Sequence, residues 1–198
     1  MAKADDLLDS VYKKLSLQKK SDTDKYSVID KIVAELDKLN KSHKINVKTT
    51  GTITERLCKL GIDSAKLSPR PFGKNWSWVG DFLLPGHPYD LAVSIKSFKV
   101  KERLLASGTG SLLTPIVGWG LFNDHSEWNE DRVHSYLYRG FIAIYMPDTT
   151  YLKITQSALS IQNINGKPVL RTLKDFPENL QSTIIKGNKE RRIDVRKF

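Results

Sequence analysis

The sequence has little cysteine and no long apolar run, and each absence excludes a class of protein. The only cysteine is Cys58, which excludes an internal disulfide and every zinc site built on paired cysteines. No run of about 18 apolar residues is present, so we expect no membrane-spanning helix. The start, MAKADDLLDSVYKK, has acids where a secretion signal needs a basic start and an apolar run. These features favour a cytoplasmic protein.

Three familiar site patterns are also missing. The loop SGTGS (107–111) lacks the Gly-Lys-Ser/Thr end of a phosphate-binding P-loop. Ser94 and Lys96 are two residues apart, whereas Ser/Lys acyl-transfer enzymes space the pair by one helical turn. No two histidines stand at metal-ligand spacing on a clear helix. The histidines are His43, His87, His125 and His134.

Acids are scarce relative to bases. The chain has 32 Lys and Arg against 22 Asp and Glu, a net charge of +10. Residues 151–198 carry ten bases and four acids, and most of these bases lie in KGNKERRIDVRKF (186–198). A basic surface attracts phosphate backbones, so a nucleic-acid partner is expected. The alternatives are a solubilising surface and a basic module that binds an acidic protein.

Helical periodicity dominates the first third of the chain. Apolar spacing predicts helices over residues 4–19 and 26–43, with Ser27 as N-cap of the second and SDTDK as a linker between them. TITERLCKL (52–60) predicts a third helix that ends at Gly61.

Strand-forming segments follow these helices. WVGDFLL and YDLAVSIKSF are separated by turn residues, and the apolar run GFIAIYM is typical of a strand covered on both faces. We therefore predict an α/β (α+β) fold with a mixed central sheet flanked by helices. Residues 1–198 are expected to form a single domain, in which the helical segment 1–45 is a candidate dimer contact. Aromatic residues mostly serve packing, so we expect core or interface positions for Trp76, Trp78, Trp119 and Trp128.

The segment GDFLLPGHPYDLAVSIK (80–96) reads as a hairpin that brings charged residues together. Side chains alternate along a strand. One face of the second strand therefore carries Asp90, Ala92, Ser94 and Lys96. A four-residue loop would place Asp81 opposite Ala92, and a six-residue loop would place it opposite Ser94. In both registers Asp81 shares the face of Ser94 and Lys96, although an ordinary strand with one solvated face shows the same alternation.

A carboxylate and an ammonium on neighbouring strands suit phosphodiester hydrolysis. Mg²⁺ prefers oxygen ligands and keeps several waters. A bound metal polarises the phosphate and lowers the pKa of an attacking water, while a lysine positions that water or stabilises the developing charge.

These residues resemble the PD-(D/E)xK nuclease superfamily, which includes many type II restriction endonucleases. That family carries an Asp on one strand and an acid-x-Lys triplet on the next, usually after a helix with a glutamate. GDF, AVSIK and the helix with Glu55 match these elements over roughly residues 50–100. The resemblance implies a restriction-endonuclease-like fold and a Mg²⁺-dependent, site-specific double-strand endonuclease. Asp81 would bind the metal, Lys96 would position or activate the water, and Ser94 would shape the site or hydrogen-bond a metal-bound water.

The sequence departs from the family pattern at two positions. Gly80 replaces the usual proline, and Ser94 replaces the acid of the triplet, which removes a metal-ligand charge. Some restriction enzymes are similar in having Ser-x-Lys there and take the carboxylate from elsewhere in space. The candidates for that carboxylate are Glu55, Glu102 and Asp90.

Double-stranded DNA is the partner that the resemblance implies. A symmetric cut of both strands implies a homodimer, because protein two-fold symmetry mirrors that of the DNA. The basic residues after the catalytic strand, the glycine-containing loop and the C-terminal segment are candidate DNA contacts. These residues are Lys99, Lys101, Arg103, Ser107, Thr109, Ser111, Lys189, Arg191 and Arg192. The alternative is a non-catalytic DNA-binding protein with a basic C-terminal tail and a purely structural hairpin.

Overall fold

The structure is a computed structural model that describes residues 4–43, 46–98, 114–187 and 191–198. Its α-helices are α1 (Ala4–Lys14), α2 (Asp22–Tyr26), α3 (Ile29–His43), α4 (Val47–Ser64), α5 (Glu130–Tyr138), α6 (Asp148–Tyr151), α7 (Gln156–Leu159) and α8 (Phe176–Ser182). Its strands are β1 (Arg70–Pro71), β2 (Phe82–Leu84), β3 (Gly86–His87), β4 (Leu91–Lys96), β5 (Ile116–Gly120), β6 (Phe141–Met146), β7 (Leu170–Thr172) and β8 (Ile193–Asp194). No helix in this described portion of the chain is both long and apolar enough to cross a membrane.

A mixed sheet forms the centre of the molecule. Among the described residues, six strands are ordered β1-β2-β4-β5-β6-β7. The first three are antiparallel neighbours, whereas β4, β5, β6 and β7 run parallel. A second, two-stranded sheet pairs β3 with β8 in parallel. The predicted mixed sheet flanked by helices is therefore confirmed.

Both faces of the central strands are covered. Leu91, Val93 and Ile95 of β4 join one core cluster together with the N-terminal helices. Ala92 joins a second cluster on the other face, and Ser94 is fully buried. The expectation of an ordinary half-exposed strand is wrong at β4. All six residues of β6 are buried, which confirms the strand predicted from GFIAIYM.

The N-terminal helices contribute to the first core cluster, but their boundaries differ from those predicted. The first helix ends at Lys14, and the predicted linker SDTDK contains α2, which has Ser21 as its N-cap. Ser27 is the C-cap of α2, and α3 begins at Ile29. Apolar side chains of α1, α2 and α3 pack into the same cluster as the sheet. Dimerisation through residues 1–45 stays a prediction.

The helix that carries Glu55 is longer than its sequence predicted. It continues through Gly61, where an added Cβ would lie 2.6 Å from the Tyr26 ring. The glycine therefore allows α2 to approach α4 and does not end the helix. The Tyr26 hydroxyl donates to the Leu173 carbonyl (2.9 Å) and accepts from the Trp119 indole (3.1 Å), which ties α2 to the sheet.

The basic C-terminal segment is partly core. Ile193, Val195 and Phe198 are buried, and β8 pairs with β3 at the tip of the hairpin. The interpretation of this segment as a tail is therefore wrong for residues 193–198, because apolar residues alternate with its bases. Arg191 and Arg192 are exposed.

Candidate active site

Asp81 lies where the chain enters β2, and backbone hydrogen bonds fix its position. Its N–H donates to the Val93 carbonyl (2.8 Å), and its Oδ2 accepts from the Ile95 N–H (2.6 Å). Loss of hydration raises the pKa of this carboxyl, while the Lys96 ammonium and the Ile95 N–H act in the opposite direction without fully offsetting it. Two hydrogen bonds to the backbone of β4 thus hold Asp81 in place.

Lys96 is the last residue of β4 and converges on Asp81. Its Nζ lies 3.9 Å from Asp81 Oδ2, with 20% of the lysine side chain and 31% of the aspartate side chain exposed. The register is that of the six-residue loop, since Leu84 pairs with Leu91 and Phe82 with Val93. The predicted convergence of this carboxylate and this ammonium is therefore present in the structure.

Glu55 reaches the same site from α4. It lies on the solvent side of that helix, off the buried stripe that includes Leu57 and Cys58. Loss of hydration, followed by the negative charge of Asp81, raises the pKa of Glu55, and Lys96 lowers it. Lys59, which lies one helical turn after Glu55, pairs with Asp63 at 2.6 Å. Glu55 is therefore a second carboxylate within electrostatic range of Asp81 and Lys96.

The structure places the other two residues of the hairpin differently. Ser94 is fully buried beside Gly118 of β5, so its hydroxyl acts inside the sheet and not at the solvent surface. Asp90 lies at the opposite end of the hairpin. Its Oδ1 accepts from the Gly86 N–H (3.0 Å), and its Oδ2 pairs with Arg70 (2.8 Å). Asp90 closes the hairpin loop and is not brought to Asp81.

Several predicted site residues lie outside the described residues. They are Lys99, Lys101, Glu102, Arg103, Ser107, Thr109, Ser111 and Lys189. Their roles as DNA contacts, or as a metal ligand in the case of Glu102, stay predictions.

Asp81 and Glu55 offer the donor chemistry that a divalent hard cation needs. Mg²⁺ is commonly held by one or two carboxylates, with water and substrate phosphate as its other ligands. Two carboxylates next to an ammonium fit that requirement. Across residues 4–43, 46–98, 114–187 and 191–198, no three His, Cys, Asp or Glu side chains are grouped as a metal site. Among these residues, a protein site for Mg²⁺ at this position would therefore rest on these two acids.

Comparison with known proteins supports the architecture. No protein-family model matches the chain, and no curated protein matches its sequence. Among solved structures, the restriction endonuclease PspGI in complex with substrate DNA is similar, with a TM-score of 0.61 and 12% sequence identity. The similarity covers 90% of this chain and 91% of the PspGI chain. The chain has a restriction-endonuclease-like fold.

The four tryptophans divide between the core and the surface. Trp119 and Trp128 are buried, which confirms a core position for these two. Trp76 and Trp78 are 51% and 46% exposed, in the loop that leads to Asp81, so an interface position stays a prediction for this pair. The polar and glycine-containing segment GKNWSW around them has no apolar periodicity that would place them in the core.

Proposed function

We propose that this protein is a Mg²⁺-dependent, sequence-specific endonuclease that cleaves double-stranded DNA, as a type II restriction enzyme does. The observation that carries the proposal is the convergence of Asp81, Lys96 and Glu55 at one edge of a mixed sheet. The fold shared with PspGI, a restriction endonuclease solved with its substrate DNA, supports the same class of function.

Each residue has a separate role in this proposal. Asp81 and Glu55 would hold Mg²⁺, which when bound supplies a Lewis acid for the phosphate and a lower pKa for a bound water. The ammonium of Lys96 orients the attacking water and stabilises negative charge on the phosphoryl oxygens. Ser94, buried under the site, keeps β4 packed so that Lys96 and the Ile95 N–H remain in register with Asp81.

The substrate and the assembly follow from charge and symmetry. A net charge of +10 favours a polyanion, and Arg191 and Arg192 are exposed at the surface, where we expect phosphate contacts. Cleavage of both strands of a symmetric site requires two active sites related by a two-fold axis, which favours a homodimer. We assign the dimer contact to the helical segment 1–45, and light scattering of the purified protein tests whether the dimer forms.

The decisive experiment incubates the protein with a sequenced phage DNA and measures the fragment pattern with and without Mg²⁺. We expect discrete fragments with Mg²⁺, because a specific endonuclease cuts at fixed sites. Asp81→Ala and Lys96→Ala should abolish these fragments while circular dichroism shows an intact fold. Tight DNA binding without Mg²⁺-dependent cleavage by the wild type would replace the proposal with a non-catalytic DNA-binding protein.

A further inference from the structure

Two exposed indole rings lie next to the candidate active site. Trp76 and Trp78 stack on each other, with ring centroids 6.1 Å apart and an interplanar angle of 29°. They belong to residues 73–78, which we call the tryptophan loop, and every residue of this loop is exposed. Large apolar side chains that are held at the surface in this way mark an interaction site more often than scattered exposed residues do.

The tryptophan loop is ordered by its own hydrogen bonds. Trp76 N–H donates to the Gly73 carbonyl (2.8 Å), and Val79 N–H donates to the Trp76 carbonyl (2.9 Å). The Trp78 indole N–H donates to the Asn75 carbonyl (3.0 Å). Because this N–H is used within the loop, Trp78 presents mainly its apolar ring to a partner.

The base of the loop is closed at the candidate catalytic carboxylate. Phe72 N–H donates to the Asp81 carbonyl (3.3 Å), and an added Cβ at Gly80 would lie 2.9 Å from the Val93 carbonyl. Trp78 and Asp81 are three positions apart in the chain, so their Cα atoms are at most about 11 Å apart. That distance corresponds to about three nucleotides along one DNA strand.

The charge around the loop suits DNA and not a second copy of this chain. Between Asp63 and Asp81 the sequence has no acid and three bases, namely Arg70, which pairs with Asp90, and the exposed Lys66 and Lys74. A like-charged copy would be repelled at this surface, whereas a phosphate backbone would be attracted.

We propose that the Trp76–Trp78 pair is an apolar DNA contact that packs on deoxyribose and base edges within about three nucleotides of the cleaved phosphodiester. This inference rests on the proposed function, because the DNA must lie at Asp81. The contact holds the strand against the carboxylate, and it adds a non-ionic component to binding that basic residues cannot supply. Removal of a large apolar side chain from water strengthens binding about tenfold or more without an ion pair.

Salt dependence separates this contact from a phosphate contact. Binding of a labelled duplex of mixed sequence is measured in EDTA at several salt concentrations, for the wild type, the double variant Trp76→Ala/Trp78→Ala, and Lys74→Ala. The double variant should bind about tenfold or more weakly at every salt concentration with an unchanged slope of log K against log salt. Lys74→Ala should reduce the slope by about one. Tyr138→Ala is the matched control, since Tyr138 is 86% exposed just before the start of β6, at the opposite end of the parallel strands from Lys96.

Tryptophan fluorescence gives a second, direct readout. Trp119 and Trp128 are buried, so quenching by acrylamide reports mainly on Trp76 and Trp78. Addition of the same duplex in EDTA should protect the wild type from the quencher and leave Tyr138→Ala equally protected.

The outcomes distinguish the two proposals. Cleavage and DNA binding by the wild type, without protection of the indoles and with unchanged affinity of the double variant, would overturn the inference and leave the endonuclease proposal standing. Protection that appears with rising protein concentration and no DNA would assign the pair to a contact between protein copies and overturn the inference. Absence of both DNA binding and cleavage would overturn both proposals.

Discussion

Replacement of Glu55 by glutamine should stabilise the protein at neutral pH and remove its response to Mg²⁺. Loss of hydration and the charge of Asp81 raise the pKa of Glu55 in the folded state. An acid whose pKa rises on folding favours the folded state most at a pH low enough to protonate it in both the folded and the unfolded protein. That contribution is complete below the ordinary glutamate pKa of about 4.3 and is lost as pH rises through the folded value. Glu55→Gln should therefore unfold at a higher temperature than the wild type at pH 7, and the difference should vanish near pH 4.

Mg²⁺ should reverse this ranking. A ligand that binds only the folded state stabilises it by RT ln(1 + [L]/Kd), which is about 1.4 kcal/mol at ten times the dissociation constant. For a chain of this length that raises the melting temperature by about 3 to 6 °C. The wild type should show this shift, and both Glu55→Gln and Asp81→Asn should lose most of it because each removes one of the two carboxylates.

Glu35→Gln is the matched control. The Lys14 and Lys38 ammonium groups lower the pKa of Glu35, the opposite direction to Glu55. Its contribution to stability is present above the ordinary glutamate pKa and is lost as pH falls, so Glu35→Gln should be less stable at pH 7 and keep the full Mg²⁺ shift. Differential scanning calorimetry between pH 4 and 8, with and without Mg²⁺, measures both effects. A Mg²⁺ shift in Glu55→Gln equal to that of the wild type would show that Glu55 is not a metal ligand.

Three further substitutions test the frame of the site. Asp90→Ala removes the hydrogen bond that closes the hairpin loop, so urea unfolding should show that the free energy of unfolding falls by about 1–2 kcal/mol. The Mg²⁺ concentration required for cleavage should stay unchanged, and a higher requirement would make Asp90 a metal ligand. Gly120→Ala places a Cβ 2.5 Å from the Lys96 carbonyl and should lower the free energy of unfolding by about 1–3 kcal/mol in the same assay. Its control is Gly51→Ala, whose added Cβ meets no atom within 4 Å and should leave stability unchanged or raise it by up to about 1 kcal/mol. Tyr26→Phe leaves a buried indole N–H and a buried carbonyl without their partner and should cost about 1–3 kcal/mol; a stability equal to that of the wild type would show that α2 is held by packing alone.

The pairing of Asp81 with Lys96 was predictable because it depends on local rules. The two residues are close in sequence, joined by a turn rich in proline and glycine, and the period of two places them on one face in either register that the turn allows. The turn left the register open between two solutions, and the pairing of Leu84 with Leu91 and of Phe82 with Val93 resolves it. The mixed sheet was similarly predictable, since apolar strands alternate with helical segments.

What the sequence did not reveal depends on contacts between distant segments. SDTDK has no apolar periodicity, and α2 is held by the bond from Tyr26 to Leu173, 147 residues away. The many bases of the C-terminal segment predicted an exposed tail, although Ile193 and Phe198 are buried. Their burial depends on the pairing of β8 with β3 at the hairpin tip. Net charge indicates what a surface attracts, but it does not indicate which residues of a basic segment lie in the core.

Burial explains why position 94 suits a serine better than an acid. The family pattern places an acid at position 94, but here that position is fully buried beside Gly118 in the middle of a sheet covered on both faces. An ionised carboxylate at such a place costs several kcal/mol unless a bound cation compensates it at all times. Serine avoids this cost, and in the proposed site Glu55 would supply the charge from the solvent side of α4, where it stays partly hydrated when no metal is bound. A serine on the strand together with a glutamate on the helix therefore keeps the proposed site charged without an ionised group inside the sheet.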